Sequence, residues 1–313
     1  MADESNRFRF DFIQKVISID EISGKILLKL EPDPRRYEWK VIDGKRNLYD
    51  KFDNVYFTEE CVLNGFKQLE GMPIYFERQE IENAKEYIES RRSHITDMLE
   101  GGKNAPTFRD KSEEFLESLT DDKLDFVIVS LDIVGSTKLA TETDPKLYAR
   151  IIAAILYELS EIIPKFRGHV LKYTGDGLIA YFPAPSFIRK NDLAIDCALT
   201  LRGIIYDGIN PVLQTKGYPI IDTRIGLDSG EAYVEIIGSP ETKQHKDIIG
   251  KVVSLATKIQ AQAKPGEIYL GDVTERNLHV SWRQICELVD LKADWSYKDS
   301  EGNPYKIHRV RVR

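Results

Sequence analysis

The chain has 313 residues, 42% of them hydrophobic and 30% charged, with a formal net charge of −7 at pH 7. That balance belongs to a folded protein with room for two domains, and an acidic surface argues against a nucleic-acid backbone as main partner. No apolar run reaches the roughly 18 residues that cross a bilayer, the polar N-terminus lacks a signal-peptide core, and three scattered cysteines (Cys61, Cys197, Cys286) make neither a disulfide framework nor a zinc pattern, so the expected setting is the reducing cytoplasm.

Residues 1–95 read as a small α+β module. Strands are expected at 26–30 and 37–42, separated by Glu31-Pro32-Asp33-Pro34. Tyr49-Asp50-Lys51-Phe52-Asp53 reads as a solvated turn. Thr58-Glu59-Glu60 opens a helix with Cys61, Phe66 and Leu69 on its inner face and Gly71 as its stop. A strand at 72–76 and a charged helix over 81–99 follow, with Arg91-Arg92 on a solvated face. No catalytic constellation occurs here, and a regulatory, dimerising or partner-binding role is expected. Residues 96–123 read as a linker containing Gly101-Gly102-Lys103-Asn104-Ala105-Pro106 and a charged helical segment at 109–119.

Residues 124–313 carry the chemistry. A buried strand is expected at 125–131. Thr143-Asp144-Pro145 starts a helix whose Leu147, Ile151, Ile155 and Leu159 form one apolar stripe, ended by Pro164. Two apolar stretches around Thr174-Gly175-Asp176-Gly177 predict a hairpin over 169–182. Asn191 caps a helix running to about 205. Residues 223–227 and 231–237 predict a second hairpin around Asp228-Ser229-Gly230, followed by a helix at 252–263 and a strand at 268–270. His169 and His245 lack metal-ligand spacing and read as surface residues, and Trp282 and Trp295 read as packing or surface residues. Arg309, Arg311 and Arg313, alternating with valines, suggest an edge strand. The order fits an α+β fold with a ferredoxin-like βαββαβ core plus an added hairpin and helix.

Asp132 closes the first strand and is followed by Ile133, Val134, Gly135, Ser136 and Thr137. A carboxylate entering a loop of small residues suits a site where a metal ion meets phosphate, the loop amides cradling oxygens. Asp176 at the hairpin tip is a second carboxylate. If the hairpin lies beside the first strand, the two acids can share cations.

The segments LDIVGST (131–137), KYTGDG (172–177), RIGLDSGEA (224–232), DIIGKVVSLATKIQ (247–260) and PGEIYLG (265–271) together resemble the ordered blocks of class III nucleotide cyclase catalytic domains. The resemblance covers about 190 residues, 124–313, and leaves the first 120 unmatched. It implies a lyase that turns a nucleoside triphosphate into a 3′,5′-cyclic nucleotide and pyrophosphate with two divalent cations, Mg²⁺ or Mn²⁺. Asp132, Asp176 and the backbone of Ile133 fall at metal positions, and residues 134–137 at the phosphate loop. Lys172 and Asp247 fall at base-reading positions as the adenine-type pair, and Lys292 near that of a triphosphate-binding lysine. Ser254 stands where the family usually has Asn, and Lys258 where it has Arg; a lysine keeps the charge and loses the bidentate fork. The family shares each site between two chains, so a head-to-tail homodimer with two sites is implied. ATP is the favoured substrate. The alternatives are a pyrimidine cyclase making cyclic CMP or cyclic UMP in antiviral signalling, suggested by Ser254, Lys258 and the unmatched module, and a cyclase-shaped domain that only binds nucleotide or a partner.

Overall fold

The computed structural model describes residues 9–20, 25–69, 80–102, 111–119, 123–183, 187–290 and 295–312. It divides into two compact units, 1–78 with 279–284, and 79–278 with 285–313. Among the described residues no helix is long and apolar enough to cross a membrane.

The first unit holds two small antiparallel sheets. One pairs β1 (Phe12–Asp20) with β2 (Lys25–Pro32). The other is β3 (Tyr37–Ile42), β4 (Lys45–Asp50) and β5 (Val55–Thr58), followed by α1 (Glu59–Leu69). The helix starts as expected, with Thr58 Oγ1 accepting from Cys61 N. Its inner face is set by Val62, whereas Cys61 is exposed; the side chains of Phe66 and Leu69, and the expected stop at Gly71 and strand at 72–76, lie outside the described residues. The 49–53 segment is not a solvated turn. Arg36 is fully buried and reaches Asp50 at 2.8 Å, Asp11 at 3.0 Å and Asp53 at 2.9 Å. Arg283, from the one-turn helix Val280–Arg283, closes the network on Asp53 with two hydrogen bonds. A buried guanidinium is tolerated only when its donors find carboxylates, and here they do.

The second unit begins with α2 (Ala84–Leu99), capped by Asn83, and α3 (Lys111–Ser118). The central sheet starts with β6 (Lys123–Val134), whose alternate residues are buried on both faces. Gly135, at φ +75°, turns the chain into α4 (Ser136–Glu142). α5 (Pro145–Ile162) begins as the sequence suggests: Asp144 accepts from the amides of Lys146 and Leu147, with Pro145 in the first turn. Ile151, Ile155 and Leu159 are its buried stripe, and Pro164 sits in the 3₁₀ turn that ends it. β7 (His169–Tyr173) and β8 (Leu178–Phe182) form the expected hairpin.

α6 (Phe187–Gly203) starts before Asn191, so that residue is no cap; it lies inside the helix, where its side chain accepts from Ser229 Oγ at 2.6 Å. A π-helical turn (Ile204–Ile209) and α7 (Asn210–Thr215) follow. The expected hairpin around Asp228-Ser229-Gly230 is absent. Residues Asp222–Ser239 form one continuous strand, β9, and the turn comes later, before β10 (Lys243–Ile249). The turn-like composition is overridden because Asp228 and Ser229 point into polar partners in the core: Tyr305 donates to Asp228 Oδ1 at 2.7 Å. α8 (Lys251–Gln262), β11 (Ile268–Gly271), α9 (Asp272–Asn277), β12 (Cys286–Leu288) and β13 (Ile307–Val310) complete the unit. The strand order is β12-β13-β11-β9-β6-β8-β7, with β10 paired to β9. β13 is therefore interior and β12 takes the edge, and Arg309 is held by Glu267 and Glu287.

Phe126, Ile128, Ile179 and Tyr181 pack with Leu116 of α3 and with Val252 and Ala256 of α8. His169 is not a surface residue: half-buried, it is stacked between Phe115 and Tyr181, and burial lowers its pKa. Arg91 is not on a solvated face, whereas Arg92 stays exposed as the sequence suggests. Arg91 donates twice to the fully buried Glu158 of α5, at 2.8 and 2.9 Å, while Arg92 reaches the carbonyl of Asp207 in the π-turn at 3.1 and 2.8 Å.

Candidate active site

Asp132 stands near the end of β6, directly across from Arg224 on β9. Arg224 Nη2 donates to Asp132 Oδ2 at 2.6 Å, and Gln260 Nε2 of α8 lies 3.5 Å from the same oxygen. Thr223 Oγ1 donates to the Asp132 carbonyl at 3.0 Å. Asp132 and Arg224 are each about a third exposed, so the pair faces solvent from the strand end. Arg224 was not singled out from sequence. Its signal was a cation two residues before Gly226 in a buried strand, and its meaning needs the β6–β9 register.

The hairpin tip brings Asp176 to the same place. β8 pairs with β6, Leu178 opposite Leu131, so the β7–β8 turn abuts the end of β6. A Cβ on Gly177 would fall 3.2 Å from Asp132 Cα and closer still to the Leu131 carbonyl, so only glycine lets the tip press this tightly. Gly175, at φ +90°, shapes the turn. Asp176, next to Gly177, therefore sits at the end of β6 with Asp132.

Ile133 is buried, Val134 half-buried, and Gly135 with Ser136 and Thr137 leads into α4. No side chain caps that helix, which leaves its first amides open to another acceptor.

Two carboxylates form a small donor set, and no group of three or more His, Cys, Asp or Glu suited to a metal occurs among the described residues. That set fits a hard cation such as Mg²⁺, which takes one or two carboxylates and completes its shell with water and phosphate oxygens. The Arg224 guanidinium now occupies Asp132, which shows that the position attracts positive charge.

A second centre lies elsewhere in the same unit. Lys172 Nζ on β7 donates to Asp247 Oδ2 on β10 at 2.5 Å, although the residues are 75 apart in sequence. Asp247 Oδ1 takes the Ile248 amide at 2.8 Å, which fixes the carboxylate plane. The structure thus brings together Lys172 and Asp247, and separately Asp132 and Asp176. Ser254 and Lys258 are both exposed, one turn apart on α8, opposite the buried face of Leu255 and Ile259. Lys292 lies outside the described residues.

The fold is shared with the crystal structure of the guanylyl cyclase Cya2, at a TM-score of 0.53 and 22% identity over 61% of this chain and 94% of that one. A cytidylate cyclase from Escherichia coli is 27% identical over 57% of this chain and 38% of its own length. A uridylate cyclase from Rhodovulum sp. (strain MB263) is 25% identical over 59% of this chain and 79% of its own. The match to the cytidylate cyclase thus spans little more than a third of that protein. Residues 121–294, more than half of the chain and all of the strands and helices that carry both centres, match the model of the adenylate and guanylate cyclase catalytic domain, and the chain belongs to that family.

Proposed function

We propose that the chain is a nucleotidyl cyclase acting on a nucleoside triphosphate whose base carries an amino group beside a ring acceptor, namely ATP or CTP. The observation that carries the reading is the Lys172–Asp247 pair. An ammonium beside a carboxylate offers one donor next to one acceptor. Adenine (amino N6, acceptor N1) and cytosine (amino N4, acceptor N3) present the complementary edge. Guanine and uracil present a carbonyl acceptor and a ring N–H, the reverse order. A mismatched base would leave Asp247 and Lys172 unpaired, which costs orders of magnitude in discrimination. The resemblance of the pair to the adenine-type pair favours ATP; the likeness to a cytidylate cyclase supports CTP as the second reading, while the similar likeness to a uridylate cyclase makes UTP the substrate the test must exclude.

In the reaction the ribose 3′-oxygen attacks the α-phosphorus in line, its proton leaves to solvent, and pyrophosphate departs. The catalytic domains of this family use divalent metal ions. Bound by Asp132 and Asp176, such ions would lower the pKa of the 3′-hydroxyl and screen phosphate charge. Arg224, released from Asp132, supplies a guanidinium for the triphosphate. Lys258 places a positive charge against the transferring phosphoryl group, and Ser254 hydrogen-bonds the ribose.

Among the described residues the base-reading pair and the aspartate pair share no partner within one chain. A head-to-tail homodimer, with two sites each built from both copies, unites them. Tyr173 on β7, Ile249 on β10, and Tyr233, Ile236 and Ile237 on β9, which pairs with β10, are all exposed and support a second copy there.

The test is product formation by the purified chain from ATP, CTP, GTP and UTP in turn, with Mn²⁺ and then Mg²⁺, beside an Asp132→Ala control. Cyclic AMP or cyclic CMP alone, read by mass spectrometry, is expected. Cyclic UMP or cyclic GMP as main product refutes the base assignment.

A further inference from the structure

We propose that Tyr206 and Asn210 are positioning residues for the triphosphate, a role that rests on reading Arg224 as its ligand and Asp132 as the metal's. Both stand at the π-helical turn Ile204–Ile209, where α6 passes into α7 without a break. The widened turn is closed by a bond of π type, from the Asn210 amide to the Ile205 carbonyl five residues back. Such turns are rare and recur at functional sites. This one is held from outside by α2: Arg92 takes the Asp207 carbonyl at 2.8 and 3.1 Å, and Ile88 packs against Gly203 and Gly208.

What the turn reaches is the entrance of β9. The β6–β9 ladder ends at the pair Val134–Asp222, because β6 leaves the sheet at Gly135 to form the loop into α4. Ile221 is buried one residue beyond that pair. The buried Asn210 side chain takes the place of a strand neighbour there: its Nδ2 donates to the Ile221 carbonyl and its Oδ1 accepts from the Ile221 amide, both at 2.9 Å. The next residue is tied by Tyr206, whose hydroxyl donates to Asp222 Oδ1 at 2.9 Å. The Tyr206 ring is steadied by Arg202, whose guanidinium lies 4.5 Å from the ring centroid while its Nε donates to the Gly266 carbonyl at 2.8 Å. The Gly266 amide in turn donates to the Thr223 carbonyl at 2.8 Å. Residues 221, 222 and 223 are thus each braced, and the two residues that follow the brace act on the site: Thr223 Oγ1 holds the Asp132 carbonyl, and Arg224 holds its carboxylate. A strand end without a neighbour frays. Arg224 is the third residue of β9, so fraying would move its guanidinium, and a ligand displaced by about 1 Å can cost up to ~100-fold.

The experiment uses the full chain and two readouts. Inorganic tripolyphosphate with Mg²⁺, titrated by calorimetry, reports the phosphate ligands alone, independent of base and of turnover. Initial rates on the preferred triphosphate give KM and kcat. Tyr206→Phe and Asn210→Ala should each raise the Kd for tripolyphosphate and the KM about fivefold, with kcat within about twofold of the parent, the pattern of lost ground-state binding. In an Arg224→Lys background either change should add less than about twofold, because the brace acts through Arg224. Tyr206→Phe keeps the ring beneath Arg202 and removes no bond to the buried backbone, so it reports on position where Asn210→Ala also loosens the fold. Parental Kd and KM in Tyr206→Phe, or effects that add in full to that of Arg224→Lys, overturn the proposal whatever the melting temperatures do. The two readings fail differently. Weakened tripolyphosphate binding in Arg224→Lys with none in Tyr206→Phe removes the positioning role alone. No binding by the parent, or parental Kd and KM in Arg224→Lys, removes the reading of the Arg224–Asp132 pair and the positioning role with it.

Discussion

Arg224 and Asp132 face each other across β9 and β6, the guanidinium 2.6 Å from one carboxylate oxygen. The pair joins a candidate metal ligand to a candidate phosphate ligand before either has met its substrate. Each neutralises the other, which lets both stand at a strand end without an unpaired charge. A cation and a triphosphate arriving together would exchange one ion pair for two.

Asp132→Asn removes the charge a cation needs and keeps the side chain's shape. Product formation should fall by at least ~100-fold, and Asp176→Asn should do the same. Because Asp132 is solvent-facing, the melting temperature of either variant should stay close to that of the parent. Arg224→Lys should keep most of the fold and raise KM for the triphosphate about tenfold through loss of the planar fork. A variant set that loses activity only in step with melting temperature would count against the assignment.

The Lys172–Asp247 pair gives a prediction about choice of base. Asp247→Asn replaces an acceptor-only group with an amide that can donate or accept. The amide can serve the carbonyl of uracil or guanine, so discrimination against UTP and GTP should shrink at least tenfold, with the rate on the preferred substrate also reduced. Ratios of kcat/KM across the four nucleotides read this directly. Unchanged ratios would place the base elsewhere.

How much of this was legible from sequence depends on the range over which each feature is decided. α5 and the β7–β8 hairpin were readable because their signals are local: Asp144 and Pro145 start the helix, and Thr174-Gly175-Asp176-Gly177 turns the chain. The motif blocks gave the family, which the comparisons establish. The misread hairpin in β9 shows the opposite case. Asp228-Ser229-Gly230 has turn composition, and it stays extended because Tyr305, 77 residues away, binds Asp228. Arg91, Arg36 and Arg224 were likewise settled by carboxylates remote in sequence: Glu158, Asp11 and Asp132. Charge in a sequence marks a candidate, and only the tertiary fold says whether water or a carboxylate answers it.

Glu158 provides a test of the clamp between α2 and α5. It is fully buried, with Arg91 bonded to both oxygens and His94 Nδ1 2.8 Å away. Glu158→Ala leaves Arg91 facing a buried gap and should cost about 3 kcal/mol in urea unfolding. Glu158→Gln keeps one acceptor and should cost less. If both variants unfold with the parent, α2 is not fastened through this residue.

Asp228 should write its burial into the pH dependence of stability. Burial raises its pKa from 3.8 to about 7, against the lowering effect of the Tyr305 hydroxyl. Asp196 is raised to about 7 as well, by burial and by the nearby Asp192. For an acid whose folded pKa lies above its unfolded one, the folded state holds the proton longer. Stability contributed by these groups is then greatest at or below about pH 4, declines as pH rises toward 7, and is level above that. Asp228→Asn keeps an acceptor for Tyr305 and removes the charge. Its melting temperature should exceed the parent's most at pH 7–8, by about 5 °C, and the advantage should vanish toward pH 4. Thermal melts of parent and variant across pH 4–8 give the difference curve, and a constant or inverted offset would mean that Asp228 stays ionised in the core.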